Sequence, residues 1–522
     1  MKVCARSRTL CYFVLPALLL AACVLQPVSA QAQMTSVGID CSQIRSLGIL
    51  KQDNLRAGRA LVECGIVLGG RPVPPSDAPP VAPNVRVSNR TCTSSSTCTK
   101  SESMVWASTV DPNNIVVNYN DHNANQYSGT SYSNDGGVTF TEILPSPFGS
   151  GHGTNFGDPI VVYNAKLAKW FAGDLATGCG GQGIGLWTSS NGITWATGAC
   201  AHNGGGDDRE SMWVDNEPTS GTYGRMYISW NDFAFNTDLS VTHSDNGTTW
   251  SAPVRLNNGN PFIRDVQLTG SPVGATRYEG ANSTVFIAGM NESVNGGCGN
   301  RQNLMYKSLD GGTTWTSTTL GPLFKPICDG LCDNTYFAKV NPIIRHMGWG
   351  QPAVGPNGVV HYVYAGLGKQ NSDPGDIYYV RSTDNGATWS VPKRLNGGAD
   401  APFKSQWMPS LSAELNGKVT ASWYDRGQAT TACNIPTDPG CSYRRAIRQS
   451  TDNGATFALQ TVISGLIPQP AQPDPGVQAC YAGDYDYSTT LNGNAFITWT
   501  DGRRAVSGTH VQDVEFAKVP LP

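Results

Sequence analysis

The sequence predicts an all-β fold, a β-propeller with seven blades rather than six, and three observations carry that prediction. A short phrase recurs six times, the strand pattern around it recurs with it, and the composition is that of a turn-rich chain, with 59 glycines, 33 prolines and 13 tryptophans in 522 residues. The copies are Ser133 to Phe140 (SNDGGVTF), Thr188 to Trp195 (TSSNGITW), His243 to Trp250 (HSDNGTTW), Ser308 to Trp315 (SLDGGTTW), Ser382 to Trp389 (STDNGATW) and Ser450 to Phe457 (STDNGATF). The period leaves room for four strands and their loops.

Each phrase reads locally as a tight hairpin turn. Asp-Asn-Gly or Asp-Gly-Gly between two strand-like runs tolerates positive φ, the aspartate accepts bonds from turn amides, and the final Trp or Phe buries its ring. The third position holds Asp135, Asp245, Asp310, Asp384 and Asp452, with Ser190 standing in once. The likeness runs on past the turn: Trp250-Ser-Ala-Pro-Val-Arg-Leu-Asn257 and Trp389-Ser-Val-Pro-Lys-Arg-Leu-Asn396 repeat the next strand almost letter for letter. Whole blades are duplicated.

Each module opens with a strand pair, at Ser103 to Asp121, Asp158 to Asp174, Asp208 to Asp232, Asp265 to Asn291, Gly350 to Ala365, Trp407 to Asp425 and Asp484 to Asp501. Seven openings face six turn phrases. The last module ends at Val511 to Lys518 without a fourth strand of its own, and the segment Asn84 to Ser88 is placed to supply it. Closing the ring with both chain ends removes exposed sheet edges.

The N-terminal part has a different texture. Lys2, Arg6 and Arg8 precede an apolar run from Leu10 to Leu25, and Val28-Ser29-Ala30 offers a cleavage site, so residues 1–30 read as an export signal. Leu20-Ala21-Ala22-Cys23 offers the competing reading of a lipid anchor on Cys23. Residues 31–70 read as a small helical, disulfide-linked segment, with Ile44, Leu47, Leu50, Leu55, Ala60 and Leu61 spaced as in a helical hairpin. A proline-rich linker follows over 71–83, and the propeller occupies 84–522.

Twelve cysteines follow Cys23, an even number that suits disulfides in an exported chain. Short separations suggest Cys41 with Cys64, Cys92 with Cys98, Cys179 with Cys200, and Cys433 with Cys441. Cys328-x3-Cys332 has the spacing of half a zinc site, but no second ligand pair lies near it. A net charge of −3 with 14% charged residues gives no footprint for nucleic acid, and no later apolar run spans a bilayer. No Walker loop, dinucleotide fingerprint, zincin motif or Gly-x-Ser-x-Gly elbow is present.

The six phrases resemble Asp-box (BNR) repeats, the hallmark of the sialidase-like β-propeller superfamily, and the resemblance covers nearly all of residues 84–522. It implies boxes at the outer rim, away from any active site, in a superfamily that includes sialidases, other glycosidases, polysaccharide lyases and proteins without known catalysis. Sialidases resemble one another at a Phe/Tyr-Arg-Ile-Pro motif that positions one of three carboxylate-clamping arginines. This chain has no such motif, and the segment Val85 to Asn89 reads VRVSN.

Propeller ligands bind where the innermost strands begin, so the charged residues at module openings are the candidates for chemistry. A glycosidase assignment takes Arg209, Arg264 and Arg345 as carboxylate binders. It takes Tyr485 with Glu210 or Glu279 as nucleophile and base, and Asp158 or Asp208 as the acid. Trp349 and Trp407 are candidate sugar platforms, with Trp213 and Tyr481 beside them in a purely binding propeller. A polysaccharide lyase is the alternative enzyme, with His152, His202, His346 or a tyrosine as base. Charged residues at strand starts also serve simply to pair neighbouring blades. No cofactor is required and no metal ligand set stands out, although calcium suits Asp373-Pro-Gly-Asp376 or Asp484-Tyr-Asp486. The expected protein is a secreted monomer whose partner is an extracellular glycan or polysaccharide.

Overall fold

The computed structural model describes residues 33–71, 84–88 and 97–522, except 123–126, 236, 258–260, 272–279, 293–295, 333–335, 341–343, 369–373, 399–400, 402, 432, 434–440 and 469–471. The export signal, Cys23 and most of the proline-rich linker fall outside these residues. The propeller has seven blades, each built on antiparallel strands running from the channel outward, and Asp486–Tyr487 adds a parallel strand at the inner edge of blade 1. Blade 1 comprises Lys100–Ala107, Ile115–Asp121, Ser128–Ser133 and Thr141–Glu142, and blade 3 comprises Asp207–Val214, Met226–Asp232, Asp238–Ser244 and Val254–Arg255. In blade 4 the inner strand is split into Ile263–Arg264 and Leu268–Gly270.

The ring closes as the sequence predicts. Blade 7 carries Thr489–Leu491, Asn494–Asp501 and Asp513–Pro520, and its outermost strand is Val85–Arg86 from the other end of the chain. Val85 faces Phe516 and Arg86 faces Glu515 in that pairing. Arg86 pairs with Asp513 at 2.7 Å on this outer strand, so it is remote from the channel.

Each six-phrase turn joins the third strand of a blade to its fourth. In the first copy the Ser133 hydroxyl donates to Asp135 Oδ1 at 2.7 Å and accepts from Gly137 N at 2.9 Å. Asp135 in turn accepts from the Thr139 amide and hydroxyl. Two copies depart from the predicted alignment. In blades 2 and 3 the turn is built from Ser189 with Asn191 and from Ser244 with Asn246, whose side chains accept from the amides of Thr194 and Thr249 at 2.9 Å. Asp245 instead pairs with Arg225 at 2.7 Å.

The glycine of each phrase lies against the preceding blade. Gly247 has φ +73°, and a Cβ there would lie 2.2 Å from the Phe171 ring of blade 2. Gly137 of blade 1 meets Phe516 of blade 7 in the same way. The turns therefore clip neighbouring blades together as well as reversing the chain. Between blades the core is apolar and aromatic, with Trp170, Trp187, Trp230, Trp407, Trp423 and Trp499 fully buried.

The appendage is less helical than a hairpin. Cys41–Gln43 and Ile49–Lys51 are single 3-10 turns, and only Leu55–Glu63 is an α-helix, its first turn capped by Asn54 Oδ1 accepting from Ala57 N at 2.9 Å. Gly48, at φ +68°, breaks the pattern before a second helix can form.

Disulfides with both partners among the described residues join Cys41–Cys64, Cys179–Cys200, Cys298–Cys328, Cys332–Cys480 and Cys433–Cys441. Cys98 is also disulfide-bonded, and Cys92 lies outside the described residues. Cys328 and Cys332 enter separate bridges, which leaves no thiolate pair there for zinc. Such bridges suit an oxidising compartment. Among the described residues no helix is long and apolar enough to cross a membrane.

Candidate functional site

The inner strands do not start smoothly. Glu102, Asp158, Arg209, Asp265 and Met408 all take left-handed backbone, with φ between +49° and +66°. In three blades the register places two residues opposite one at this point: Glu102-Ser103 against Tyr119, Arg209-Glu210 against Trp230, and Met408-Pro409 against Trp423. Such a bulge re-aims a side chain, at a cost of order 1 kcal/mol for each non-glycine residue held at positive φ. Four of the five are charged, and the kinks gather their side chains at one mouth of the channel.

What they meet there is the chain's own N-terminal segment. Arg209 Nη1 donates to Asp53 Oδ2 at 3.3 Å and Arg264 Nη2 donates to Asp53 Oδ1 at 3.1 Å. One carboxylate is thus shared between guanidiniums from blades 3 and 4. Arg345 Nη2 donates to the Asp53 carbonyl at 2.7 Å, while its other nitrogens bind Asp484 and Gln478. Asp208 accepts from Asp53 N at 3.1 Å and from Asn54 Nδ2 at 2.6 Å. Trp349 roofs the pair, with the Arg209 guanidinium 3.9 Å from its ring centre and that of Arg264 5.2 Å away.

Beneath this layer lies a buried carboxyl and tyrosine cluster whose polar atoms are poorly matched. Asp158 Oδ1, both Glu210 carboxylate oxygens and the hydroxyls of Tyr485 and Tyr487 make no hydrogen bond within the protein. Buried polar atoms ordinarily find partners, so an unmatched set at one spot suits water or a ligand. Tyr485 and Tyr487 stack at 4.5 Å, and Arg209 covers the Tyr485 ring at 4.9 Å.

Burial and like charge divide the carboxyls into two kinds. Burial alone would raise Asp53, but the Arg264 and Arg209 guanidiniums outweigh it and hold the carboxyl below its usual range. Burial pushes Asp158 up to about 7, reinforced by the Asp53 charge. Burial likewise drives Asp208, Glu102 and Glu210 well above the ordinary carboxylate range, with neighbouring carboxylates adding to it. Tyr485 is raised by burial, then by Asp158 and Glu102. At neutral pH the arginines face one firmly ionised carboxylate and several reluctant ones.

The structure brings together Arg209, Arg264, Arg345, Trp349, Asp158, Asp208, Glu210 and Tyr485. Glu279 lies outside the described residues. Trp407 lies elsewhere, in the blade 6 core against Tyr424 and Tyr443. Asp484 and Asp486, where calcium was an expectation, hold Arg345 and Arg445; Asp373 is outside the described residues and Asp376 pairs with Arg394. One oxygen each from Asp53, Asp158 and Asp208 falls within 4.8 Å of the others, but the two guanidiniums already balance that charge.

Of the histidines, His152 packs on Trp187 and on the Cys179–Cys200 bridge. His202 pairs with Asp207 at 2.6 Å. His346 is buried, and burial with the Arg301 charge holds it down to about 3, so it stays a neutral imidazole. Residues that sequence reasoning missed are Asp53, Asn54, Glu102 and Tyr487. A Gln-Asp-Asn run just before a helix was the available signal for Asn54 as a cap, but nothing local ties Asp53 to the channel.

A cavity of about 660 Å³ lies among the later halves of the inner strands, lined by Trp106, Met212, Trp213, Leu268, Glu414 and Tyr487 among others. Tyr487 thus borders both the buried cluster and this cavity.

No family model and no curated protein matches the chain. Several solved structures do. An α-L-arabinofuranosidase, Arb93A from Fusarium graminearum, aligns at TM-score 0.36 and 13% identity over 59% of this chain and 92% of its own. An ulvan lyase of family PL25 aligns at TM-score 0.45 and 10% identity over 82% and 96%. The Aleuria aurantia lectin aligns at TM-score 0.37 and 12% identity over 69% and 95%. At these scores the alignments carry no argument about chemistry, which rests on the site itself.

Proposed function

We propose that this chain is an exported, sialidase-like glycosidase that acts on extracellular glycans bearing a carboxylate, at the channel mouth formed by Arg209 and Arg264. The observation that carries the reading is a carboxylate bound by guanidiniums from two blades, one on each oxygen, directly above a carboxyl and tyrosine cluster with unmatched polar atoms. Paired arginines recognise carboxylates with defined geometry.

In this reading the sugar carboxylate takes the place of Asp53 and the ring lies over the cluster. Asp158, whose proton is retained up to about pH 7, gives it to the leaving oxygen as the glycosidic bond breaks. Tyr485 attacks the anomeric carbon while Glu210 takes the phenol proton. Water then attacks the anomeric carbon of the tyrosyl–sugar bond, Asp158 takes a proton from that water, and Tyr485 leaves as it recovers its proton from Glu210. No step calls for a cofactor. In the capped form burial pushes Glu210 and Tyr485 well above their ordinary ranges, and water and substrate entering the site relieve that burial.

The test is mass spectrometry of products after incubating the exported chain with sialylated glycans and uronic-acid polysaccharides, beside a Tyr485→Phe variant. Water added across a cleaved bond, lost in the variant by about 10²-fold or more, is the expected result. A product with an unsaturated uronate end replaces the hydrolase by a lyase. Binding without any product replaces it by a glycan-binding propeller.

A further inference from the structure

The segment that fills the arginine site is built as a separate body. Residues 33–71 have their own core of Ile39, Ile44, Ile49, Ala60, Leu61 and Val67, apart from the cores of the blades. The Cys41–Cys64 bridge closes that core. Against the propeller its contacts are mostly polar. Arg56 Nη1 donates to Gln182 Oε1 at 2.6 Å, Gln182 Nε2 donates to Gln52 Oε1 at 3.1 Å, and Arg59 meets His122 at 3.3 Å. Apolar contact is made by Leu55 against Val477 and Tyr481 and by Gly48 against the Phe233 ring. Polar interfaces of this kind are the ones across which bodies move.

One edge is held more firmly. Ala479 N donates to Leu68 O at 2.9 Å, and Gly70 N donates to Val477 O at 2.9 Å. A Cβ on Gly69 or Gly70 would fall 2.2 Å from a backbone oxygen, so the chain is pinned there. Just before it Gly65 has φ +67° and open space around it. The arrangement is a body hinged at one edge with a carboxylate at the other.

Asp53 is the natural stand-in for a ligand. Removing it leaves two buried guanidiniums short of one anion, which is strongly unfavourable. An incoming carboxylate restores the balance without adding net charge. The unmatched oxygens of Asp158, Glu210 and Tyr485 are buried close by, and the Asp53 charge acts on Asp158.

We propose that residues 33–71 form a self-inhibiting cap in which Asp53 occupies the anion site of Arg209 and Arg264, and that an acidic sugar opens the site by displacing it. This rests on the reading of that site as the place where glycans bind. A closed cap lowers apparent affinity by the fraction of open molecules.

The test uses the full exported chain with free glucuronate as probe, measured by calorimetry and by amide hydrogen exchange. Asp53→Asn binds glucuronate about ten- to a hundredfold more tightly than the unaltered chain. Glucuronate speeds exchange across residues 36–63 of the unaltered chain. Arg56→Ala, which loosens the cap at Gln182 and at the Phe156 ring beneath it, shifts affinity in the same direction by less. It carries the test if Asp53→Asn does not fold.

Equal glucuronate affinity in both variants and the unaltered chain, or no binding in any of them, overturns the cap. Tighter binding in the variants with no glycan cleaved keeps the cap and sinks the hydrolase. Cleavage at the same rate in all three, with unchanged affinity, does the reverse.

Discussion

The aspartates of the rim and those of the channel mouth are the same residue type under opposite physics. At the rim, Asp135 and Asp452 are exposed, accept bonds from a threonine hydroxyl and amide, and are held down to about 2. At the mouth, Asp158 is buried and pushed up to about 7. The rim repeats because a turn needs the same acceptor in every blade. The mouth does not repeat, since its positions carry Glu102, Asp158, Arg209, Asp265 and Met408 in turn on the same left-handed backbone. Sequence regularity marks what holds the ring together, and departure from it on a regular backbone marks where chemistry is concentrated.

If that contrast is right, charge deletions separate most widely. Arg264→Ala leaves Asp53 and Asp208 without a shared cation and is expected to cost about 3–5 kcal/mol. Arg225→Ala removes the rim pair with Asp245, whose side chain is 58% exposed, for about 0–1 kcal/mol. Chemical denaturation at neutral pH measures both, and equal costs would erase the distinction. The next largest effect belongs to the clips. Gly247→Ala drives a methyl into Phe171 and costs about 1–3 kcal/mol from crowding alone. Gly493→Ala has a like φ of +74° but open space around it, so it shows the backbone part by itself, about 1 kcal/mol. A similar loss at both positions would mean that the turns do not clip the blades.

The fold was legible because it repeats. Strand order, ring closure by Val85–Arg86 and four-stranded blades all follow from matching copies of one module. Two turns were misaligned by one residue because Ser190-Asn191 and Asp245-Asn246 each offer two acceptors, and only geometry decides which one reaches the threonine amide. The arginines were legible as charged residues at strand starts. Trp407 and Trp349 look alike in sequence, yet Trp407 sits within an inner strand and packs into the blade, while Trp349 sits before one and roofs the site. Asp53 was illegible because the appendage shares no register with the blades, and Cys332–Cys480 because 148 residues separate the partners.

The finest test of the comparison is in its pH dependence. Asp452 lies at 3.8 when unfolded and about 2 when folded, chiefly through the Thr456 hydroxyl. Its stabilisation is therefore present above about pH 4 and lost as pH falls toward 2. Asp158 lies at 3.8 unfolded and about 7 folded, chiefly through burial. Its native form keeps a proton that the unfolded chain gives up, so its contribution is full below about pH 4 and lost as pH rises through 7. Asp452→Asn, which weakens two hydrogen bonds for about 1 kcal/mol, should flatten the acid limb of stability and leave the neutral limb alone. Asp158→Asn mimics the protonated carboxyl and should do the reverse, losing less stability than the unaltered chain between about pH 4 and 7. If Asp158→Asn instead follows the unaltered chain across that range, the native carboxyl is already ionised at neutral pH. The channel mouth would then lack the proton that the proposed cleavage step gives to the leaving oxygen, and the contrast between rim and mouth would reduce to one of exposure alone.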